Sequence, residues 1–114
     1  MERIAWGILG LGGIAGRFAR GLQASQTGEL ARSAARDPER AAQFAAEYGG
    51  QPCASYQDLL NDPEVQAVYI ALPHHLHEEW TIRAAEAGKH ILCEKPFTLD
   101  LPSAQRAIAA VQWS

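Results

Sequence analysis

Ile4-Ala5-Trp6-Gly7-Ile8-Leu9 runs straight into Gly10-Leu11-Gly12-Gly13-Ile14-Ala15 near the start of the chain. The first six residues read as a short strand. Ile14, Phe18 and Leu22 then recur at i, i+4 and i+8, the stripe of a helix packed on a sheet. Between strand and helix lies the pattern G-x-G-x-x-A. Gly10 permits the tight turn, Gly12 offers bare backbone to a pyrophosphate, and Ala15 lets helix and strand pack closely. The free N–H groups and positive end of the helix then receive the phosphates around Gly13 and Ile14. A glycine turn alone can be merely structural. Its place between a strand and a helix favours the phosphate cradle.

Outward from this stretch, strands and helices alternate. Leu30 to Ala35 is expected as the second strand, although Arg32 and Ser33 stand where a buried parallel strand wants Val or Ile. Asp37 is a good N-cap and Pro38 fits the first helical position. The helix they open buries Ala41, Phe44, Ala45 and Tyr48 and stops at Gly49-Gly50. Ser55, with Asp58 three residues on, predicts a short helix from Ser55 to about Asn61, closed by Pro63. Val65 to Leu72 is a dense apolar run and reads as a central strand. Leu76, Trp80, Ala84 and Ala87 predict a helix ended by Gly88. His90 to Cys93 is a further strand, and Pro102 to about Gln112 a last helix. This alternation predicts an α/β, Rossmann-type, doubly wound and mostly parallel sheet with right-handed crossovers. Residues 1–114 are expected to be one NAD(P)-binding domain, cut before a substrate domain begins.

The end of the second strand governs cofactor choice. NAD-preferring folds place Asp or Glu there, about 20 residues beyond the glycine turn, to bond the ribose 2′-hydroxyl. This chain has Ala35 followed by Arg36. A 2′-phosphate suits a guanidinium and is repelled by a carboxylate, so NADP is favoured over NAD. Asp37 lies close by, but capping the helix accounts for it. The alternative for Arg36 is a solvated surface residue.

Bulk properties bound the partners. A chain of 114 residues has room for one domain, and 47% hydrophobic residues suffice for a small core. A net charge of -3 argues against a nucleic-acid surface. No run approaches the ~18 apolar residues of a membrane span. No basic segment followed by an apolar one marks a secretory leader, so a cytoplasmic place is expected. Cys53 and Cys93 have no CxxC spacing and are expected to be buried free thiols.

Leu72-Pro73-His74-His75-Leu76-His77 follows the central strand, and Cys93-Glu94-Lys95-Pro96 follows the next. The glycine turn, Pro-x-x-x-His and Glu-Lys-Pro, in this order and spacing, resemble the glucose-fructose oxidoreductase / inositol dehydrogenase / MocA (Gfo/Idh/MocA) family. Arg36-Asp37-Pro38-Glu39-Arg40-Ala41 and Ala87-Gly88-Lys89-His90 carry the same resemblance. It covers nearly the whole chain, and its wording is nearest the dihydrodiol dehydrogenase-like members. The resemblance implies hydride transfer between NAD(P) and a carbinol or carbonyl carbon of a small-molecule substrate, a sugar, polyol or diol. It implies that Lys95 is the catalytic lysine beside the nicotinamide, able to stabilise alkoxide charge or relay a proton. Glu94 would help hold the nicotinamide, and Leu72, Pro73 and His77 would line the cleft. The Lys95–Pro96 bond would be cis. The family's further catalytic His, substrate sheet and homo-oligomer surface belong to a later domain, so the 114 residues alone are expected to be inactive.

Plainer readings remain beside these. His75 and Glu79 stand at i, i+4, but no third ligand is in an obvious place, and no metal is expected. Trp6, Trp80 and Trp113 read as core or covered surface. Two other functions stay open: a non-catalytic nucleotide-binding fragment, and an NAD(P)-sensing regulator. The sheet face and open edge meant for a missing domain are expected to expose apolar surface and promote self-association.

Overall fold

The computed structural model describes residues 3–92, apart from the side chain of His74. The elements are β1 (Ile4–Leu9), α1 (Gly13–Ala24), β2 (Gly28–Ala34), α2 (Pro38–Tyr48) and β3 (Gln51–Pro52). They continue with α3 (Tyr56–Asn61), β4 (Ala67–Ile70), α4 (His74–Glu86) and β5 (His90–Leu92). The sheet order is β3-β2-β1-β4-β5, and every pairing is parallel. The strand order reverses between β1 and β4, so a crevice opens at their carboxyl ends. The expected Rossmann-type sheet is what the chain forms.

Helices cover both faces. On one, Phe18 and Leu22 of α1 and Phe44 of α2 pack with Trp6, Ile8 and Tyr69 of the sheet. Phe18 stacks on Tyr69 with centroids 4.1 Å apart and meets Trp6 edge-on at 5.1 Å. On the other face, Leu59 and Leu60 of α3 and Ala84 of α4 pack with Leu9, Val68 and Ile70. Gly7 is what lets α3 come so close: a Cβ there would stand 2.6 Å from Cδ2 of Leu59.

Local signals set the helix ends. The Asp37 carboxylate accepts from the Glu39 N–H at 3.0 Å, and the Ser55 hydroxyl accepts from the Asp58 N–H at 3.1 Å. Gly49, at φ 95°, ends α2 as expected.

Strand β2 differs from a regular ladder in an informative way. It begins at Gly28 rather than Leu30 and ends at Ala34. Trp6 pairs with Leu30 but Gly7 pairs with Arg32, so Ala31 is an extra residue, a bulge. Leu30 therefore packs on the α1/α2 face while Arg32, two residues on, emerges on the other. There Arg32 Nε reaches Asp62 at 2.8 Å and Nη2 reaches Glu64 at 2.9 Å. Arg32 is thus an ion-paired strut under the α3–β4 loop rather than a flaw in the strand. The Glu64 N–H, and then Arg32, hold the Asp62 carboxyl below its usual range. Lys89 grips the same loop, donating to the carbonyls of Asp62 and Val65. Ser33 is fully buried, with a hydroxyl that has no hydrogen-bond partner.

Several expectations need correction. The strand expected over Val65 to Leu72 is confined to Ala67–Ile70. Val65 and Leu72 are buried by packing on α3 and α4 rather than by pairing. The two-residue β3 went unforeseen. Ala45 and Tyr48 are only half-buried, and Ala87 is exposed because α4 ends at Glu86. Cys53 is a free thiol, half-buried rather than buried, and its surroundings push its ionisation up. The expected apolar face is not seen among the described residues, where Ile82 is the one large apolar side chain exposed. Trp6 is core and Trp80 is covered, as expected. Cys93, Trp113, the helix from Pro102 and the Lys95–Pro96 bond lie outside the described residues.

Candidate functional site

The crevice beyond β1 and β4 is a cleft of about 560 Å³. Gly10, Leu11 and Gly12 form one wall, and Ala71, Leu72 and Pro73 the facing one. Ala35, Arg36, Asp37, Arg40 and Tyr56 close the end next to β2. The glycine turn, the residues after β2 and the Leu72-Pro73 corner, far apart in sequence, are thus brought together.

Each glycine of the turn has its own reason. Gly10 stands at φ 91°, and a Cβ there would lie 2.8 Å from the Ala71 carbonyl oxygen and 2.9 Å from Cδ2 of Leu72. Only glycine allows that crossing. Gly12 is extended backbone, and a Cβ on it would meet nothing within 4 Å. It borders empty cleft, so a side chain there would occupy ligand space. Gly13 and Ile14 begin α1, where the first N–H groups have no intrahelical acceptor. Ala15 is fully buried between helix and sheet. Bare backbone, free first-turn N–H groups and a helix N-terminus together suit a pyrophosphate.

The end next to β2 carries the charge. Arg36 is exposed on the cleft, while the Asp37 carboxylate is engaged in capping α2. Arg40, which the sequence reading did not single out, is half-buried one turn later. Its Nε and Nη2 donate to the Leu11 carbonyl at 3.1 and 2.8 Å, so it ties α2 to the glycine turn. Its guanidinium also lies over Phe44, 5.9 Å from the ring centroid. Tyr56 was missed as well. Neither carries a local signal beyond the spacing of Arg40 one helical turn after Arg36.

His77 does not join the lining. It is half-buried on α4, with Nδ1 3.5 Å from the Thr81 hydroxyl, which donates to the His77 carbonyl. Glu94 and Lys95 lie outside the described residues. Glu79 pairs with Arg83 at 3.2 Å instead of with His75. Among the described residues no group of three or more side chains could hold a metal ion, and no helix is long and apolar enough to cross a membrane. A second hollow, about 580 Å³, lies between α3 and α4. Its polar walls bond to one another, with Arg83 reaching Gln57 and Gln57 reaching Asn61.

Comparison with known proteins agrees with this geometry. A family model described as "Oxidoreductase family, NAD-binding Rossmann fold" matches residues 4–113. An uncharacterized oxidoreductase of Rhizobium meliloti is 46% identical over 110 residues, 95% of this chain and 33% of that protein. A dTDP-3,4-didehydro-2,6-dideoxy-alpha-D-glucose 3-reductase of Actinomadura kijaniata is 43% identical over 107 residues, 93% of this chain and 32% of that protein. Among solved structures, a 3-ketoreductase from Actinomadura kijaniata in complex with NADP and TDP-benzene superposes with a TM-score of 0.80. It is 41% identical, over 98% of this chain and 35% of that one. The chain therefore spans about a third of the length of the relatives it matches. On the strength of that match, and of a cleft built as a dinucleotide needs, the chain belongs to the Gfo/Idh/MocA oxidoreductase family and carries its NAD-binding Rossmann fold.

Proposed function

We propose that this chain is the NADP-binding module of an oxidoreductase acting on a carbinol or carbonyl carbon of a sugar, polyol or diol. The observation that carries this reading is the cleft. It joins a bare glycine turn at a helix N-terminus to an end bearing Arg36 and Arg40, with the nearby carboxylate of Asp37 already engaged. Two guanidinium groups there favour a cofactor with a phosphate on its ribose. The solved 3-ketoreductase holding NADP supports that choice, and the sugar-nucleotide 3-reductase supports the substrate class.

In this reading Gly10, Gly12, Gly13 and Ile14 hold the pyrophosphate, with Ala15 setting the helix against the strand. Arg36 meets the 2′-phosphate, and Arg40 steadies the turn. Leu72 and Pro73 wall the path toward the nicotinamide. Glu94 and Lys95 serve the reacting end, where the Lys95 ammonium stabilises charge on the substrate oxygen or passes it a proton. The bound nicotinamide supplies or accepts the hydride. A further domain supplies substrate contacts and the surface for a homo-oligomer.

Calorimetric titration with NADPH and NADH tests this. NADPH should bind more tightly, and Arg36→Ala should weaken NADPH at least about tenfold while leaving NADH nearly unchanged. Equal binding of the two, or an unchanged NADPH affinity in Arg36→Ala, defeats the NADP assignment.

A further inference from the structure

The Leu11–Gly12 peptide stands in the middle of the glycine turn, and its two polar ends are treated differently. The Leu11 carbonyl accepts twice from Arg40, from Nε at 3.1 Å and from Nη2 at 2.8 Å. Among the described residues nothing accepts from the Gly12 N–H. The Gly12 carbonyl is also engaged, taking the Ala15 N–H at 3.1 Å. The peptide is trans, so its C=O and N–H point in opposite directions. With the carbonyl turned toward α2, the N–H of Gly12 is turned away from α2 and left for a ligand.

Arg40 is built firmly into this place. Pro38 and the Asp37 cap start α2, and the Arg40 N–H bonds the Asp37 carbonyl at 3.0 Å. The guanidinium lies over Phe44, which is buried, and the Leu11 side chain is buried in the same cluster. An arginine fork can set two N–H groups on one carbonyl, whereas a lysine offers a point charge on a flexible stem.

Such a grip matters because this peptide could otherwise turn over. Turning it changes ψ of Leu11 and φ of Gly12, and glycine accepts the positive φ that follows at little cost. Gly12 stands at φ -82°. In the turned state the N–H would face α2 and a carbonyl oxygen would stand in its place, repelling a phosphate. The glycine that lets a pyrophosphate approach the backbone thus brings a competing state, and both Arg40 bonds are lost in that state. A donor fixed beforehand binds more tightly for the same contact.

We propose that Arg40 is a positioning residue for the pyrophosphate: it locks the Leu11–Gly12 peptide so that the Gly12 N–H stays free for phosphate oxygens. The proposal rests on the dinucleotide reading above and deepens it. Its effect reaches every cofactor with a pyrophosphate, so NADH depends on it as well as NADPH, whereas the Arg36 contact concerns the 2′-phosphate.

The test is calorimetric titration of the chain, of Arg40→Lys and of Arg40→Met with NADPH and NADH. Arg40→Lys keeps the charge and loses the fork; Arg40→Met loses both. Each variant should bind both cofactors about tenfold more weakly, the loss expected of charge-assisted hydrogen bonds. A loss confined to NADPH makes Arg40 a contact of the 2′-phosphate and overturns the proposal while leaving the NADP reading standing. Wild-type affinity in Arg40→Lys shows that charge alone matters and overturns it too. A wild-type chain that binds neither cofactor overturns both readings. A second measurement needs no variant. The Gly12 amide proton of the wild-type chain should move downfield with ADP-ribose, which has a pyrophosphate, and much less with adenosine 2′-phosphate, which has none. Equal movement with the two overturns the proposal.

Discussion

One methyl group added to Gly10, and separately to Gly12, should damage the protein in two different ways. At Gly10 the backbone is at φ 91°, where an L side chain costs about 1–2 kcal/mol. The new Cβ would also stand 2.8 Å from the Ala71 carbonyl oxygen. That carbonyl cannot easily retreat, because the Ala71 N–H is bonded to the Leu9 carbonyl at 2.8 Å. Overpacking of this kind adds about 1–3 kcal/mol. Gly10→Ala should therefore lose about 2–5 kcal/mol of folding stability, a large share of what a domain this size possesses. Gly12 has φ -82° and ψ -169°, which any residue adopts, and its Cβ would meet nothing within 4 Å. Gly12→Ala should keep its stability to within about 0.5 kcal/mol. Its methyl group would stand in the cleft, however, so NADPH should bind at least about tenfold more weakly. Urea unfolding followed by tryptophan fluorescence, with calorimetric titration of NADPH, separates the two effects; the buried Trp6 reports on the core. The reasoning is refuted if Gly10→Ala is as stable as the wild type, or if Gly12→Ala binds NADPH normally.

Three further outcomes follow from the packing and the charges. Ser33→Ala removes a buried hydroxyl that has no partner, so it should leave stability unchanged or raise it by up to about 1 kcal/mol; a loss greater than that in urea unfolding contradicts the assignment. The Asp62 carboxyl is lowered in the folded chain by the Glu64 N–H and by Arg32, so its stabilising effect is complete above the usual Asp value of about 3.9 and disappears as pH falls through the lowered value. The urea midpoint should drop on acidification below about pH 5, and Asp62→Asn should flatten part of that drop; an identical pH profile in the variant removes Asp62 from the account. Burial pushes the Cys53 thiol up, so in a Cys93→Ser background iodoacetamide should label it more slowly at pH 7.5 than it labels an unstructured cysteine peptide. Labelling at the peptide rate would show that Cys53 is not sheltered.

What could be read from the sequence was whatever local chemistry decides. The strand–turn–helix over Ile4 to Leu22, the Asp37 and Ser55 caps and the stop at Gly49 all depend on residues within one turn of each other. The strand β3 could not be read this way. Gln51 and Pro52 are exposed, show no apolar alternation and make a strand only two residues long, and they pair because the edge of β2 lies beside them. The run Val65 to Leu72 was overread because apolar residues that end up packed look the same as residues that pair. Within the cleft, Gly10, Gly12, Arg36, Leu72 and Pro73 were all legible from motif and spacing. Arg40 and Tyr56 were not, because the Leu11 carbonyl that Arg40 bonds and the place of Tyr56 in the cleft are set only by the tertiary fold.

The bulge at Ala31 has a consequence for how this strand tolerates change. In a regular strand, facing follows the parity of the residue number; here one surplus residue resets the parity midway. Leu30 and Arg32 are both even, yet they look to opposite sides of the sheet. Deleting Ala31 would make Leu30 and Arg32 neighbours, and neighbours in a regular strand face opposite sides, so each would keep the side it now has while the ladder from Trp6–Leu30 to Gly7–Arg32 became regular. A one-residue deletion at Ala31 should therefore be milder than a deletion elsewhere in β2, which would turn over the residues beyond it.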